Sequence, residues 1–138
     1  MTALTQKPEV VMLTGAATID DAHATLRHCW SAHNHVPGHI RMQLGIAVAE
    51  LVANIVEHAA EGESVRVQMS IDVLADEVHI SFTDDGAPCT VDPAASQMPG
   101  EFATRGRGIA MMRAVLGTLS YHRSDTHNHW RLISRHFG

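Results

Sequence analysis

The chain is poor in cysteine, in basic charge and in long apolar runs, and each shortage excludes something. It holds two cysteines in 138 residues. Cys29 and Cys89 lie far apart with no C-x-x-C spacing, which argues against a redox motif or a zinc knuckle and suits free thiols in a reducing compartment. Ten Lys and Arg stand against fifteen Asp and Glu, for a net charge of -5 with histidine neutral. The basic residues are scattered, so neither a nucleic-acid footprint nor a polybasic membrane patch is visible. Partners are therefore expected among proteins and small molecules. The opening MTALTQKPEVV has no continuous apolar core of a signal sequence, and Glu50 and Asn54 interrupt the longest apolar stretch, so no membrane segment and a cytoplasmic location are expected. Repeats, linkers and low-complexity tracts are absent too. With 45% hydrophobic residues, one domain over residues 1–138 can build a core without disulfides or metal staples.

The most informative stretch is 43–59, QLGIAVAELVANIVEHA. At about 100° per residue, Leu44, Ala47, Val48, Leu51, Val52, Ile55 and Ala59 share one broad arc, wide enough to bury against a sheet. Glu50 and Asn54 fall outside it, one turn apart on the same side. A carboxylate and a carboxamide so placed can converge on one small object, such as a hydrated cation. The competing reading is an ordinary solvated face, with Glu57 and His58 as further polar residues.

Around this helix the chain is read in order. Val10 to Leu13 predicts a short edge strand. Thr18-Ile19-Asp20-Asp21 resembles a capping box, and Ile19, Ala22, Leu26, Cys29, Trp30 and His33 recur at helical spacing, predicting a helix over 19–34 that Pro37-Gly38 stops. The central helix is predicted from His39 to about Ala60. Val65, Val67, Met69, Ile71 and Val73 alternate with polar residues, as do Val78, Ile80 and Phe82 beyond the Asp76-Glu77 turn, predicting a two-stranded meander with one buried face. From Asp84 to Arg107 the pattern dissolves into a loop too long for a plain connector, a length usually functional. Ile109, Met112, Ala114, Val115 and Leu116 predict a third helix closed by Gly117 as a C-terminal cap. Leu119 to Arg123 and His129 to Phe137 read as closing strands. The fold class expected is an α+β two-layer sandwich, a mostly antiparallel sheet with helices packed on one face.

Two further motifs carry chemistry. Asp84-Asp85-Gly86 ends a strand, where Gly86 can take the positive φ of a sharp exit and a half-covered carboxylate can accept from an exocyclic amine such as that of adenine. The bland alternative is an acidic turn in which Asp84 caps backbone amides. Thr104-Arg105-Gly106-Arg107-Gly108 leads into the third helix. Its glycines allow close backbone approach, and helix N-terminal amides and arginines favour anions, so this is phosphate-binding chemistry. It is neither a Walker A motif nor a Rossmann fingerprint.

In this order, Glu50-x-x-x-Asn54, Asp84-x-Gly86 and Gly106-x-Gly108 resemble the N, G1 and G2 boxes of the GHKL (Bergerat-fold) ATPases. More narrowly, the chain is similar to the short anti-sigma-factor serine-protein kinases, the RsbW-like branch, from about Val10 to the C-terminus. The resemblance implies ATP and Mg²⁺ as cofactors. It implies that Asn54 holds Mg²⁺ against the phosphates, that Asp84 accepts from the adenine amine while Gly86 leaves room for the base, and that Gly106 and Gly108 carry the chain past the triphosphate. Arg105 becomes a phosphate contact, Glu50 the general base, and 87–105 the ATP lid, which here is short and lacks a second basic cluster. The implied activity is a regulatory serine/threonine-protein kinase and anti-sigma factor, which phosphorylates a STAS-like anti-sigma-factor antagonist and sequesters a sigma factor or similar partner, with a homodimer open. Two alternatives stand beside it: a nucleotide-gated binding module with little or no transfer, and a phosphotransfer component of histidine-aspartate signalling. Of the eleven histidines, His23, His28 and His33 are five apart and do not stack on one helix face, and His127 and His129 lack a third defined ligand, so surface and structural roles are expected before metal binding. Trp30, Tyr121 and Trp130 are expected in the core or an interface.

Overall fold

A computed structural model describes the backbone of residues 9–14, 18–58, 65–89 and 103–138, with side chains over 19–56, 65–89 and 108–138. The order of elements is β1 (Glu9–Thr14), α1 (Thr18–Ala32), α2 (Gly38–His58), β2 (Arg66–Val73), β3 (Val78–Asp84), α3 (Ala103–Val115), β4 (Thr118–Arg123) and β5 (Asn128–Ile133). The five strands form one sheet in the order β1-β2-β3-β5-β4, and all four pairings are antiparallel. This is the expected α+β architecture. Structural and sequence boundaries agree within a few residues for α1, α2 and β1 to β4.

The strand pattern explains where the core lies. Val67, Met69, Ile71 and Val73 of β2, Val78, Ile80 and Phe82 of β3, and Trp130 and Leu132 of β5 are all buried, because successive side chains point to opposite faces and these share one. The helices cover that face. Ala22, Leu26, Cys29 and Trp30 supply the buried side of α1, and Ile40, Leu44, Ala47, Val48, Leu51, Val52 and Ile55 that of α2, the arc predicted from periodicity. Asp20 and Asp21 sit in the first turn of α1, where carboxylates complement the helix dipole. Helix α2 lies between α1 and α3. His23 Nε2 meets the Gly45 carbonyl at 3.1 Å, and the Arg41 guanidinium lies 5.9 Å from the centre of the Trp30 ring, so α1 and the start of α2 are joined by polar contacts as well as by packing.

Several sequence expectations need correction. The side of α2 away from the core is not uniformly polar: Met42 is 63% exposed and Ile46 and Val56 are exposed too. By length and mean hydropathy (1.2 over Gly38–Val56) this helix reaches what a membrane span requires, which Glu50 and Asn54 do not prevent, although its apolar arc is the centre of the core here. Helix α3 begins at Ala103, earlier than its apolar pattern indicates. Strand β5 starts at Asn128 and ends at Ile133, so residues 134–138 continue without ladder geometry. They are nevertheless tied down, since Ser134 N–H donates to the Val78 carbonyl and Phe137 N–H to that of Asp76, each at 2.9 Å.

Gly117 is not a left-handed cap, because among the described residues Gly138 is the glycine with positive φ. Its reason is space. A Cβ there would stand 2.7 Å from the Ser134 carbonyl oxygen, while Gly117 N–H donates to Ile133 at 2.8 Å. The obstacle is backbone and cannot swing away. Gly117→Ala is expected to destabilise the protein by about 1–3 kcal/mol, seen as a Tm several degrees lower. Gly45→Ala, where a Cβ meets nothing within 4 Å, is expected to gain about 0.5–1 kcal/mol of helix propensity. Equal effects of the two substitutions in thermal unfolding would refute the close-approach explanation.

Candidate functional site

The inward face of the sheet does not stay apolar to its end. The alternation that buries Val78, Ile80 and Phe82 places Asp84 on the same side, with 2% of its surface exposed, and the alternation that buries Trp130 and Leu132 places Asn128 there with 3%. Asp84 and Asn128 are register partners, and Asn128 pairs in turn with Arg123 of β4. One row across β3, β5 and β4 therefore reads carboxylate, carboxamide, guanidinium.

Hydrogen bonds fix this row in detail. Asn128 Nδ2 donates to Asp84 Oδ1 at 2.9 Å and to the Ala87 carbonyl at 2.8 Å. Asn128 Oδ1 accepts from the Tyr121 hydroxyl at 2.5 Å and from Arg123 Nη1 at 3.2 Å. Arg123 Nη1 also donates to the Gly86 carbonyl at 2.8 Å, and Cys89 N–H to Tyr121 Oη at 2.9 Å. The segment after β3 is thus held at Gly86, Ala87 and Cys89 by side chains of β4 and β5. Asp85 points elsewhere, accepting from Arg66 N–H at 2.8 Å.

Asp84 divides its two oxygens. Oδ1 accepts from Gly86 N–H at 2.9 Å as well as from Asn128, which is the turn-capping role that the bland reading assigned. Oδ2 is buried with no hydrogen-bond partner among the described residues. A buried carboxylate oxygen without a donor is costly, and it leaves one strong acceptor for a ligand N–H. Burial pushes the Asp84 carboxyl above the usual carboxylate range. The hydrogen bonds from Asn128 and Gly86 oppose that rise, Trp130 opposes it more weakly, and the nearby Asp85 charge adds to it. Trp130 Nε1 is buried without a hydrogen-bond partner among the described residues. Gly86 is buried but makes its exit without a positive φ, contrary to expectation, because its N–H turns back onto Asp84 instead.

A second cluster lies between α2 and α3. A Cβ on Gly108 would stand 2.9 Å from Glu50 Oε2 and 3.5 Å from Asn54 Nδ2. The glycine thus marks where the backbone of α3 passes against both polar residues of α2, which are themselves half-buried. The fold brings Glu50, Asn54 and Gly108 together as one group, and Asp84 and Gly86 as another. Gly106 and Gly108 lie inside α3 and not in a loop before it, since the helix runs back through both glycines. Arg105 stands in the first turn of α3 with its side chain outside the described residues, as are residues 90–102 of the expected lid and the side chains of Glu57 and His58. Among the described residues no three His, Cys, Asp or Glu side chains are grouped as a metal site requires.

Asn128, Tyr121 and Arg123 belong to the candidate site and were missed by sequence reasoning. A signal existed: 128, 130 and 132 alternate, so a strand begun one residue earlier would have put a polar side chain beside Trp130 and Leu132 on the inward face.

These features have counterparts among known proteins. Residues 16–134 match the histidine kinase-like ATPase domain, and the chain belongs to that GHKL-type family. It is similar to the serine/threonine-protein kinase BtrW of Bordetella bronchiseptica, with 30% identity over 131 residues, 86% of this chain and 87% of that protein. Among solved structures it resembles the histidine kinase domain of the blue-light activated kinase EL346 of Erythrobacter litoralis (TM-score 0.56, 19% identity), covering 86% of this chain and 59% of that one. It also resembles the catalytic domain of histidine kinase ThkA (TM-score 0.55, 13% identity), with 92% of this chain and 97% of that one covered. The structural likenesses establish the fold.

The raised Asp84 value carries a sign for stability. Its folded-state pKa lies above the unfolded value of about 4, so the folded state holds this proton more tightly. Its effect on stability is least unfavourable below both values and becomes a cost as pH rises through the folded one. Comparing wild type with Asp84→Asn by urea unfolding from about pH 4 to pH 7, the variant is expected to gain relative stability toward neutral pH. A difference between the two that does not change with pH would contradict the burial of a titrating carboxyl.

Proposed function

We propose that the chain is a Mg-ATP-dependent regulatory serine/threonine-protein kinase, which phosphorylates an anti-sigma-factor antagonist of the STAS-like kind and sequesters a sigma factor or similar partner. The ATP part of this reading is supported by membership of an ATPase-domain family and by a buried acceptor at Asp84 that has no partner among the described residues. The kinase part is supported by the likeness to BtrW, and the observation that carries it is the approach of Gly108 to Glu50 and Asn54. The named partners rest on the family resemblance.

In this reading Asp84 Oδ2 accepts from the exocyclic amine of adenine, while Asn128 and Arg123 hold the loop that carries Gly86 and so preserve the pocket for the base. Gly106 and Gly108 let α3 run close to the triphosphate with Arg105 as an additional cationic contact. Asn54 would offer Mg²⁺ a hard oxygen, the kind of ligand that ion takes beside water and phosphate. When bound, the ion supplies charge neutralisation at the phosphates. Glu50 is the general base. As the substrate hydroxyl oxygen bonds to the γ-phosphorus and the bond to the β-phosphate oxygen breaks, releasing ADP, the hydroxyl proton passes to the Glu50 carboxylate and from there to water.

Incubation with γ-labelled ATP, Mg²⁺ and a STAS-like antagonist domain is expected to place acid-stable label on Ser or Thr. Acid-labile label would instead indicate phosphotransfer in histidine-aspartate signalling, and nucleotide binding with no label a nucleotide-gated binding module. Glu50→Gln is expected to lower transfer by at least about a hundredfold with ATP affinity preserved. Gly108→Ala is expected to fold, since Glu50 can swing, but to transfer poorly. Undiminished transfer by Glu50→Gln would remove Glu50 from the chemistry.

A further inference from the structure

The sheet face turned away from the helices carries a second grouping of residues, separate from the nucleotide site. Ser81, Arg131 and Ser120 stand side by side across β3, β5 and β4, and Thr83, His129 and His122 form the next row. The two rows line a shallow depression. Arg131 is exposed and has no ion-pair or hydrogen-bond partner among the described residues. No carboxylate lines the depression.

His129 is held between two hydroxyls. Its Nε2 lies 3.0 Å from Ser124 Oγ and its Nδ1 3.4 Å from Thr83 Oγ1. Hydroxyls accept as readily as they donate, so both contacts suit a ring N–H. The His122 ring stacks on it, with centroids 5.8 Å apart and an interplanar angle of 27°. With the Arg131 guanidinium, the hydroxyls and ring N–H groups make a depression lined by donors, which suits an anion. The other charged or titratable side chains of this face are Arg66 and Asp72 on β2, His79 on β3, held by Glu77 at 2.8 Å, and Asp125 and His127 in the β4–β5 turn, where the His127 ring lies 6.5 Å from that of His129.

We propose that this outer depression binds a tetrahedral dianion of the phosphate class, free or as a phosphate monoester, through the Arg131 guanidinium, the Ser81 and Ser120 hydroxyls and a ring N–H of His122. The site lies on the opposite face of the sheet from Asp84, so it does not depend on the nucleotide reading.

The test is an amide NMR titration of the full chain with inorganic phosphate, O-phosphoserine and sulfate. Saturable shifts are expected at Ser81, Ser120 to His122 and His129 to Arg131. Phosphoserine binding at least as tight as phosphate would identify a monoester site, and phosphate or sulfate binding alone a free-anion site. Arg131→Gln is expected to weaken all binding roughly tenfold or more, and His122→Ala several-fold, with the far-UV spectrum unchanged in both. Shifts that fail to saturate, that are confined to Gly108 and the rest of α3, or that survive Arg131→Gln would overturn the proposal.

Discussion

The hydrogen bond between Asn128 Nδ2 and Asp84 Oδ1 is the contact on which the candidate nucleotide pocket depends. It joins two inward positions on neighbouring strands at an end of the sheet where the core turns polar. It satisfies half of a buried carboxylate and leaves the other half without a donor. Because the same Asn128 carboxamide reaches the Ala87 carbonyl and accepts from Tyr121 and Arg123, the orphaned oxygen is held by a network and not by a single turn. A buried polar group left unpartnered in a connected network costs stability, and such groups concentrate where a ligand completes the set.

The helical half of the site follows a different rule. Its geometry comes from a missing side chain: Gly108 lets α3 lie against Glu50 and Asn54, where a Cβ would stand 2.9 Å from a carboxylate oxygen. Helix α2 can present those two polar residues because its buried arc, from Ile40 to Ile55, is filled by apolar side chains packed on the sheet. The hydrophobic pattern of one helix and the absence of a methyl group on another together set which polar atoms meet.

Much of this was legible in the sequence. The two alternating strands at 65–73 and 78–83 and the helical arcs of α1 and α2 predicted the layers correctly, because burial on one face imposes periods of 2 and 3.6 residues on composition. The Glu50-Asn54 pair lies where α3 passes at Gly108, and Asp84 is buried at the end of β3. Three features escaped for physical reasons. Asn128 was missed because a strand boundary misplaced by one residue moves a side chain out of the paired set. Gly86 and Gly117 were credited with backbone freedom, yet neither uses positive φ; Gly117 serves close approach to Ser134, a contact between distant parts of the chain that no local pattern reveals. Helix α3 was begun too late because Gly106 and Gly108 have poor helix propensity, which the fold overrides.

The central claim is that Asp84 presents a free acceptor to the adenine of ATP, and titration calorimetry of wild type and Asp84→Asn with Mg-ATP tests it most directly. An asparagine in the same pose keeps an oxygen toward Gly86 and Asn128 but offers a donor where an acceptor is needed. Saturable ATP binding by the wild type is predicted, with affinity reduced by roughly ten- to a hundredfold in the folded variant. Equal affinities in the two proteins, or no ATP binding by the wild type, would contradict it.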